Sequence, residues 1–358
     1  MTADQPKSVL VTGAAGFIGG ACVRQFLRRG WRVTALIHRN VPSHLAGLER
    51  AGSVVLERAS ITDGEALRET LARSQERQGA AFCAVVHCAG RATDVGRDSR
   101  FRAANFDGLK NVAAFVQRLP AGRLVHISTT DVYGLRDFRG ADEETPLCNN
   151  TGNPYPKYKI LAEEWIRENL PPERFVFLRP AAVWGPGDTT ILPRVLQFLR
   201  SSPVIVHFGR WRGRNRWPLA YIGNVAAAAA LASERQEALG RAFNVLDGER
   251  TSIEEFYRIL LSIFFPERVG MRSVTLPFAA GWVLGCTSTA LSNRLGRSHP
   301  LFDPSLYGLY SVSRDLDFSN RRLADLFVLA SVTLVDRETA IGELRRWARQ
   351  SEIPPHAG

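Results

Sequence analysis

Lysine is nearly absent from this chain of 358 residues: only Lys7, Lys110, Lys157 and Lys159 occur, so arginine supplies 42 of the 46 basic side chains. The net charge of +11 would suit a nucleic-acid binder. Such proteins, however, gather their charge in a stripe, and here arginine runs through the whole chain. The densest cluster is Arg210, Arg212, Arg214 and Arg216, interleaved with Trp211 and Trp217. A nucleic-acid partner is therefore not expected, and an anionic small molecule or surface suits the cluster better. Cysteine is also scarce. Cys22, Cys83, Cys88, Cys148 and Cys286 are odd in number and show no C-x-x-C spacing, which excludes a disulfide framework or a zinc site. With no signal-peptide pattern at the N-terminus, a reducing cytoplasmic location is expected. Long apolar runs are missing too. The least charged stretch, Val274 to Leu291, is interrupted by Pro277, Gly281 and Gly285 and falls short of the roughly 20 apolar residues a membrane span needs. It is expected to be a buried helix, with peripheral contact at a membrane surface as the alternative.

What is present is alternation. Short β-branched runs (Val9 to Val11, Val33 to Ile37, Ser53 to Leu56, Ala84 to His87, Leu124 to Ile127, Phe175 to Leu178) alternate with helix-like stretches over the first 180 residues. Nearly continuous apolar strands separated by helices predict a doubly wound parallel α/β sheet. After Gly185 the pattern is broken by prolines, then returns at Ala242 to Leu246. The predicted organisation is a nucleotide-binding Rossmann domain over 1–184, with 220–248 returning to it. A smaller mixed substrate lobe over 185–219 and 249–350 and a frayed tail over 351–358 complete it. Thr251 with Glu254 is read as a capping box opening a helix.

The first strand runs into a helix through Val11-Thr12-Gly13-Ala14-Ala15-Gly16-Phe17-Ile18-Gly19. Gly13 allows a tight turn, Gly16 lets backbone approach a pyrophosphate, and Gly19 lets the helix pack against the sheet. At the end of the second strand, where a carboxylate would hold a ribose hydroxyl, stand His38 and Arg39. A guanidinium there suits the 2′-phosphate of NADP, which is favoured over NAD.

Among seven tyrosines only Tyr155 has a lysine four residues on, Lys159. That spacing puts both on one helical face, where the ammonium is expected to lower the tyrosine pKa toward neutrality. The tyrosine could then exchange a proton with a substrate oxygen as hydride moves. Pro156 lies between them and disfavours helical geometry at Tyr155, although prolines are tolerated in a first turn. Upstream, Ser128, Thr129 and Thr130 end a strand, where ligands bind in such sheets.

The glycine turn, Ser128-Thr129-Thr130-Asp131-Val132-Tyr133-Gly134, Pro154-Tyr155-x-x-x-Lys159 and Leu178-Arg179-Pro180 through Asp188 together resemble the extended short-chain dehydrogenase/reductase family, most closely its 3β-hydroxysteroid-dehydrogenase-like branch. The likeness continues through Ala220 to Ala226 and Phe243 to Gly248. It implies an NAD(P)-dependent oxidoreductase with Thr129, Tyr155 and Lys159 as the catalytic set. It implies cofactor contacts from Gly13, Gly16, Phe17, Ile18, Gly19, Ala89, Gly90, Asn105, Tyr155, Lys159, Pro180 and Val183. It also allows a homodimer through the helices holding Asn105 and Tyr155. Three departures from the family pattern stand out: Ser60 where relatives often carry an acidic residue, Trp184 in place of the usual tyrosine, and Thr130-Asp131 in place of the Asp-Glu pair of sugar-nucleotide dehydratases. The expected reaction interconverts a secondary alcohol and a ketone on an apolar, sterol-like or lipid-like substrate. A nucleotide-sugar 4-epimerase is the alternative, since such enzymes place an arginine in the register of Trp217, one residue from Arg216. A non-catalytic nucleotide-sensing protein is a third reading, disfavoured by the intact Tyr155 and Lys159.

Overall fold

A computed structural model describes residues 7–295 and 305–350. The expected tail over 351–358 lies outside the described residues. Strands β1 (Ser8–Thr12), β2 (Arg32–Ile37), β3 (Val54–Arg58), β4 (Ala84–His87), β5 (Arg123–Ile127) and β6 (Phe175–Pro180) alternate with helices. These are α1 (Phe17–Arg28), α2 (Ser43–Arg50), α3 (Gly64–Gln78), α4 (Asp98–Phe101), α5 (Gly108–Gln117) and α6 (Pro154–Asn169). Then follow β7 (Ala182–Trp184), α7 (Ile191–Ser201), β8 (Ile205–Phe208), β9 (Leu219–Tyr221), α8 (Ile222–Glu234) and β10 (Ala242–Val245). The C-terminal part holds α9 (Ile253–Phe264), β11 (Ser273–Leu276), α10 (Phe278–Leu295), α11 (Leu306–Ser313), α12 (Arg321–Leu329) and α13 (Arg337–Gln350).

The central sheet has seven strands in the order β10-β6-β5-β4-β1-β2-β3, all parallel. Its strands β1, β4 and β6 are buried on both faces, as their apolar sequences require. One face packs on α1 and α8, where the run Ala226 to Ala230 keeps α8 slim enough to lie against α1. The other face packs on α3, α5 and α6 through Leu67, Leu71, Val112, Ala162 and Ile166. Strand order reverses between β1 and β4, so their carboxyl ends open the crevice where ligands bind in such sheets.

Outside this sheet, β8 pairs with β11 and β7 with β9 in two small parallel ribbons. Two expectations are corrected here. The capping box belongs to Ser252 and Glu255, one residue later than Thr251 and Glu254: the Ser252 hydroxyl accepts from Glu255 N at 3.2 Å. The stretch Val274 to Leu291 is not a buried helix. It forms the exposed strand β11 and the helix α10, which leaves Trp282, Val283 and Leu284 about half exposed. Among the described residues its apolar side chains have no matching layer to pack on along that face. Among the described residues no helix is long and apolar enough to cross a membrane.

Candidate active site

The glycine turn sits at the switch point. Gly13 has φ +65°, a left-handed conformation that favours glycine. A Cβ on Gly19 would stand 2.2 Å from the Gly13 carbonyl oxygen, so only glycine lets α1 start this close to the turn. Gly16 is the N-cap of α1 and has no side chain to accept from the first-turn N–H groups, and no acidic residue stands in that turn. Phe17 and Ile18 open the helix. This arrangement, bare backbone donors at the positive end of a helix, fits a pyrophosphate. Across the crevice the Ala89 N–H donates to Thr12 Oγ1 at 3.2 Å. Asn105 holds the loop after β4 on both sides, accepting from Arg91 N at 2.6 Å and donating to Arg91 O at 3.0 Å. It does so from a π-helical stretch, Arg102–Asp107, that runs into α5. Gly90 lies between Asn105 and Lys159, where a Cβ would come within 2.9 Å of the Asn105 amide oxygen.

At the end of β2, His38 and Arg39 are exposed, and among the described residues neither carries a protein partner. Register pairs Ile37 with Arg58 at the end of β3, a second exposed arginine that the sequence reading passed over. In place of the acidic residue after β3, Ser60 bonds Thr62 at 2.8 Å. Pro180 ends β6, and Val183 is half-buried in β7.

The tyrosine and lysine share helix α6, which begins at Pro154. Asn153 caps it, accepting from Tyr155 N at 2.8 Å. Pro154 and Pro156 both fall in the first turn, where no intrahelical N–H is called for, so the proline does not disturb the alignment. The Lys159 ammonium donates to the carbonyl of Ile127 at 2.6 Å, at the end of β5. Burial lowers its pKa from 10.5 to about 8. Behind it His87 and His126 stack at 5.5 Å. Burial, with the neighbouring Lys159 charge, brings His87 down to about 3 and His126 well below the usual value, so both are neutral.

Thr129 begins the short 3-10 turn Thr130–Tyr133, and its hydroxyl accepts from Asp131 N at 3.2 Å. The same hydroxyl lies near enough to the Tyr155 side chain to favour its ionised form. Thr129, Tyr155 and Lys159 thus converge beside the nucleotide crevice, and Ser128 Oγ is buried there with no partner among the described residues. The expectation that Lys159 lowers the Tyr155 pKa is corrected. Desolvation and the Asp131 charge push it above its ordinary value of 10, and the nearby Thr129 hydroxyl offsets only part of that. The ammonium is committed to Ile127 instead, and Tyr155 is a phenol at neutral pH.

Three further residues enter from outside the anticipated set. Tyr307, at the start of α11, donates its hydroxyl to Asp131. Asp94 takes a hydrogen bond from Ser305 and an ion pair from Arg194 at 3.0 Å. Arg179 of β6 forks onto Glu163 of α6 at 3.0 and 2.5 Å and donates to Tyr133 Oη at 2.7 Å, all of it buried. That fork locks the helix carrying Tyr155 and Lys159 onto the sheet. The arginine cluster is occupied internally in part: Arg216 holds Asp315 at 3.0 Å and Asp317 at 2.6 Å, and Trp217 is buried.

Comparison with known proteins agrees with this geometry. Residues 9–245 match the NAD dependent epimerase/dehydratase family. The 2-alkyl-3-oxoalkanoate reductase of Stenotrophomonas maltophilia is 31% identical over 274 residues, 73% of this chain and 77% of the relative. The 3-beta-hydroxysteroid dehydrogenase of Mycolicibacterium neoaurum is 29% identical over 260 residues, 70% of this chain and 68% of the relative. Among solved structures, UDP-glucose 4-epimerase of Thermotoga maritima with UDP-glucose superposes with a TM-score of 0.69 over 96% of this chain and 99% of that one, at 20% identity.

Proposed function

The chain belongs to the NAD dependent epimerase/dehydratase family and is an NAD(P)-dependent enzyme; on that premise we propose that it reduces a ketone to a secondary alcohol on an apolar, lipid-like or sterol-like substrate. The observation that carries this reading is the state of Tyr155. A phenol whose pKa is held up by burial, beside the Thr129 hydroxyl at the end of β5, is a proton donor in waiting, and ketone reduction needs a proton at the carbonyl oxygen. A bound nicotinamide supplies the hydride. Gly13, Gly16, Phe17, Ile18 and Gly19 would hold its pyrophosphate, and Ala89, Gly90, Asn105, Lys159, Pro180 and Val183 would surround its nicotinamide half. Thr129 orients the substrate oxygen, Tyr155 protonates it, and the Lys159 ammonium balances the charge left on the tyrosine.

NADP is the proposed dinucleotide. The two exposed arginines, Arg39 and Arg58, at the ends of adjoining strands, suit a 2′-phosphate, and His38 adds a third basic group. The apolar substrate is supported by the relatives named as an oxoalkanoate reductase and a hydroxysteroid dehydrogenase. The epimerase reading needs an arginine for a sugar diphosphate, and Arg216, nearest that register, is spent on Asp315 and Asp317.

The test is NADPH oxidation with a panel of long-chain β-keto esters and steroid ketones, beside UDP-glucose isomerisation. Turnover of an apolar ketone that Tyr155→Phe abolishes while NADPH still binds supports the reading. Isomerisation of UDP-glucose without ketone turnover, or full activity of Tyr155→Phe, overturns it.

A further inference from the structure

The loop after β8 carries more charge than its internal contacts use. Arg216 is turned to Asp315 and Asp317, but Arg210, Trp211 and Arg214 join Arg139 around an open cavity of about 460 Å³. Three guanidiniums thus bring like charges together. Arg139 and Arg214 are exposed and make no side-chain hydrogen bond or ion pair among the described residues. The carboxylates beside them are engaged elsewhere. Asp137 accepts from the Arg210 guanidinium, from Trp211 Nε1 at 3.0 Å and from Asp315 N at 2.7 Å, and Asp315 is held by Arg216. The loop itself is fastened to the body of the protein. A Cβ on Gly213 would stand 2.5 Å from the His207 ring, and the Gly213 carbonyl accepts from Glu254 N at 3.1 Å. Buried Asn215 donates to the carbonyls of Val312 at 3.1 Å and Arg314 at 2.9 Å, at the end of α11. Arg214 N closes the turn on Trp211 O at 3.0 Å. Within that turn Arg212 takes φ +54°, a left-handed conformation uncommon for any residue but glycine. The turn brings Arg210 and Arg214 to the cavity and leaves Arg212 out of its lining. Strain of this kind collects at ligand clamps.

We propose that this cavity binds a phosphate ester, with the phosphate between the Arg139 and Arg214 guanidiniums and the organic body against Trp211. Planar guanidinium forks match phosphate oxygens two at a time. The indole supplies the apolar wall, held in place by its bond to Asp137 and by the Arg210 guanidinium 5.0 Å above its ring. The site is separate from the active site: it lies at the other end of α11 from Tyr307, a helix of eight residues and so about 12 Å long. It is also separate from the register of the sugar-nucleotide arginine, since Arg216 takes no part in it. The inference does not depend on the ketone-reductase reading. A soluble phosphate ester and the phosphate of a lipid headgroup share the chemistry recognised here.

The experiment titrates the full chain with phenyl phosphate and with inorganic phosphate by calorimetry. Saturating NADPH keeps the nucleotide crevice filled, and the arginine variants report on the cavity whether or not it does. Phenyl phosphate is expected to bind saturably and about three- to tenfold tighter than inorganic phosphate, the worth of an aromatic contact. Arg139→Gln and Arg214→Gln should each weaken it about tenfold, the worth of a charge-assisted hydrogen bond. Arg118→Gln, which removes an exposed arginine at the end of α5, lowers the net charge equally and should leave the affinity unchanged. Arg139 and Arg214 stand on different loops, so either variant decides the matter if the other fails to fold. Sedimentation with phosphatidylcholine vesicles containing phosphatidic acid separates the two sources. Vesicle binding that both cavity variants lose identifies a lipid headgroup, and its absence alongside phenyl phosphate binding identifies a soluble ester. No saturable binding of phenyl phosphate, affinity no better than that of inorganic phosphate, full affinity in the cavity variants, or an equal loss in Arg118→Gln overturns the proposal.

Discussion

The Lys159 ammonium is hydrogen-bonded to the backbone carbonyl of Ile127, two residues before Thr129, at 2.6 Å. One contact thereby fixes the helix of the Tyr-Lys pair to the strand of the hydroxyl group. It also confines a cation in a site lined by neutral His87 and His126, and burial brings its pKa from 10.5 to about 8.

That shift has a sign that stability measurements can read. A lysine with a depressed folded pKa contributes stability above its unfolded pKa, and the contribution is lost as pH falls through the folded value. The wild type therefore gains stability between about pH 8 and 10.5. Lys159→Met removes the buried charge. At neutral pH it is expected to stabilise the fold by about 2 kcal/mol, after about 1 kcal/mol is set against the lost Ile127 hydrogen bond. The alkaline gain should vanish with it, and catalysis should be lost. Denaturant unfolding at neutral and alkaline pH checks this; a Lys159→Met protein less stable than wild type at neutral pH would contradict it.

The raised Tyr155 pKa makes a separate prediction about direction. Ketone reduction needs the phenol, so no loss of rate from tyrosine ionisation should appear between neutral pH and pH 9. Alcohol oxidation needs the phenolate and should climb through the same range. Initial rates in both directions across pH test it, and a reduction rate that falls with a midpoint near neutrality, below the value of about 8 of Lys159, would show that the tyrosine ionises there.

What the sequence made legible was local. Gly13, Gly16 and Gly19, and Tyr155 with Lys159, are read from spacing within a turn or two of chain, and backbone geometry converts that spacing into position. The strand alternation is legible for the same reason, since near-continuous apolar runs have no place except a covered sheet. Asp131 with Tyr307 was not legible, because the partners lie 176 residues apart and no periodicity links them. Nor was the Tyr155 environment: a four-residue spacing says two side chains share a face, not that the ammonium prefers a carbonyl on another element. The apolar stretch 274–291 misled for a related reason. Low charge predicts burial only if another layer is present to cover it, and along Trp282, Val283 and Leu284 none is found among the described residues.

The proposed preference for NADP turns on Arg39. An exposed guanidinium with no partner among the described residues gains nothing in the free protein, so its removal should leave stability unchanged. Arg39→Ser is expected to weaken NADPH binding about tenfold to a hundredfold, the worth of a charge-assisted hydrogen bond. NADH binding should hardly change. Fluorescence titration of the Tyr155→Phe background with each nucleotide separates the two, and equal losses for NADPH and NADH would remove the case for a 2′-phosphate site.

The buried fork from Arg179 to Glu163 offers the opposite case, a pair whose breakage should cost stability first and chemistry second. Burial alone would pull the Arg179 pKa down, but Glu163 and Tyr133 reverse that and carry it above its usual value. Glu163→Gln leaves the guanidinium without a counter-charge and should destabilise the fold by about 3–5 kcal/mol. Replacing both, Arg179→Met with Glu163→Leu, should recover most of that loss, because two well-packed apolar side chains need no compensation. Glu163 also sits one turn beyond Lys159 and raises its pKa. Glu163→Gln should therefore move the Lys159 titration lower still, while the folded fraction of the variant still binds nucleotide through the distant glycine turn. Chemical unfolding of the single and double variants, with nucleotide titration of the folded protein, distinguishes a lost clamp from a lost site: a Glu163→Gln protein of wild-type stability would mean that the fork does not hold the catalytic helix.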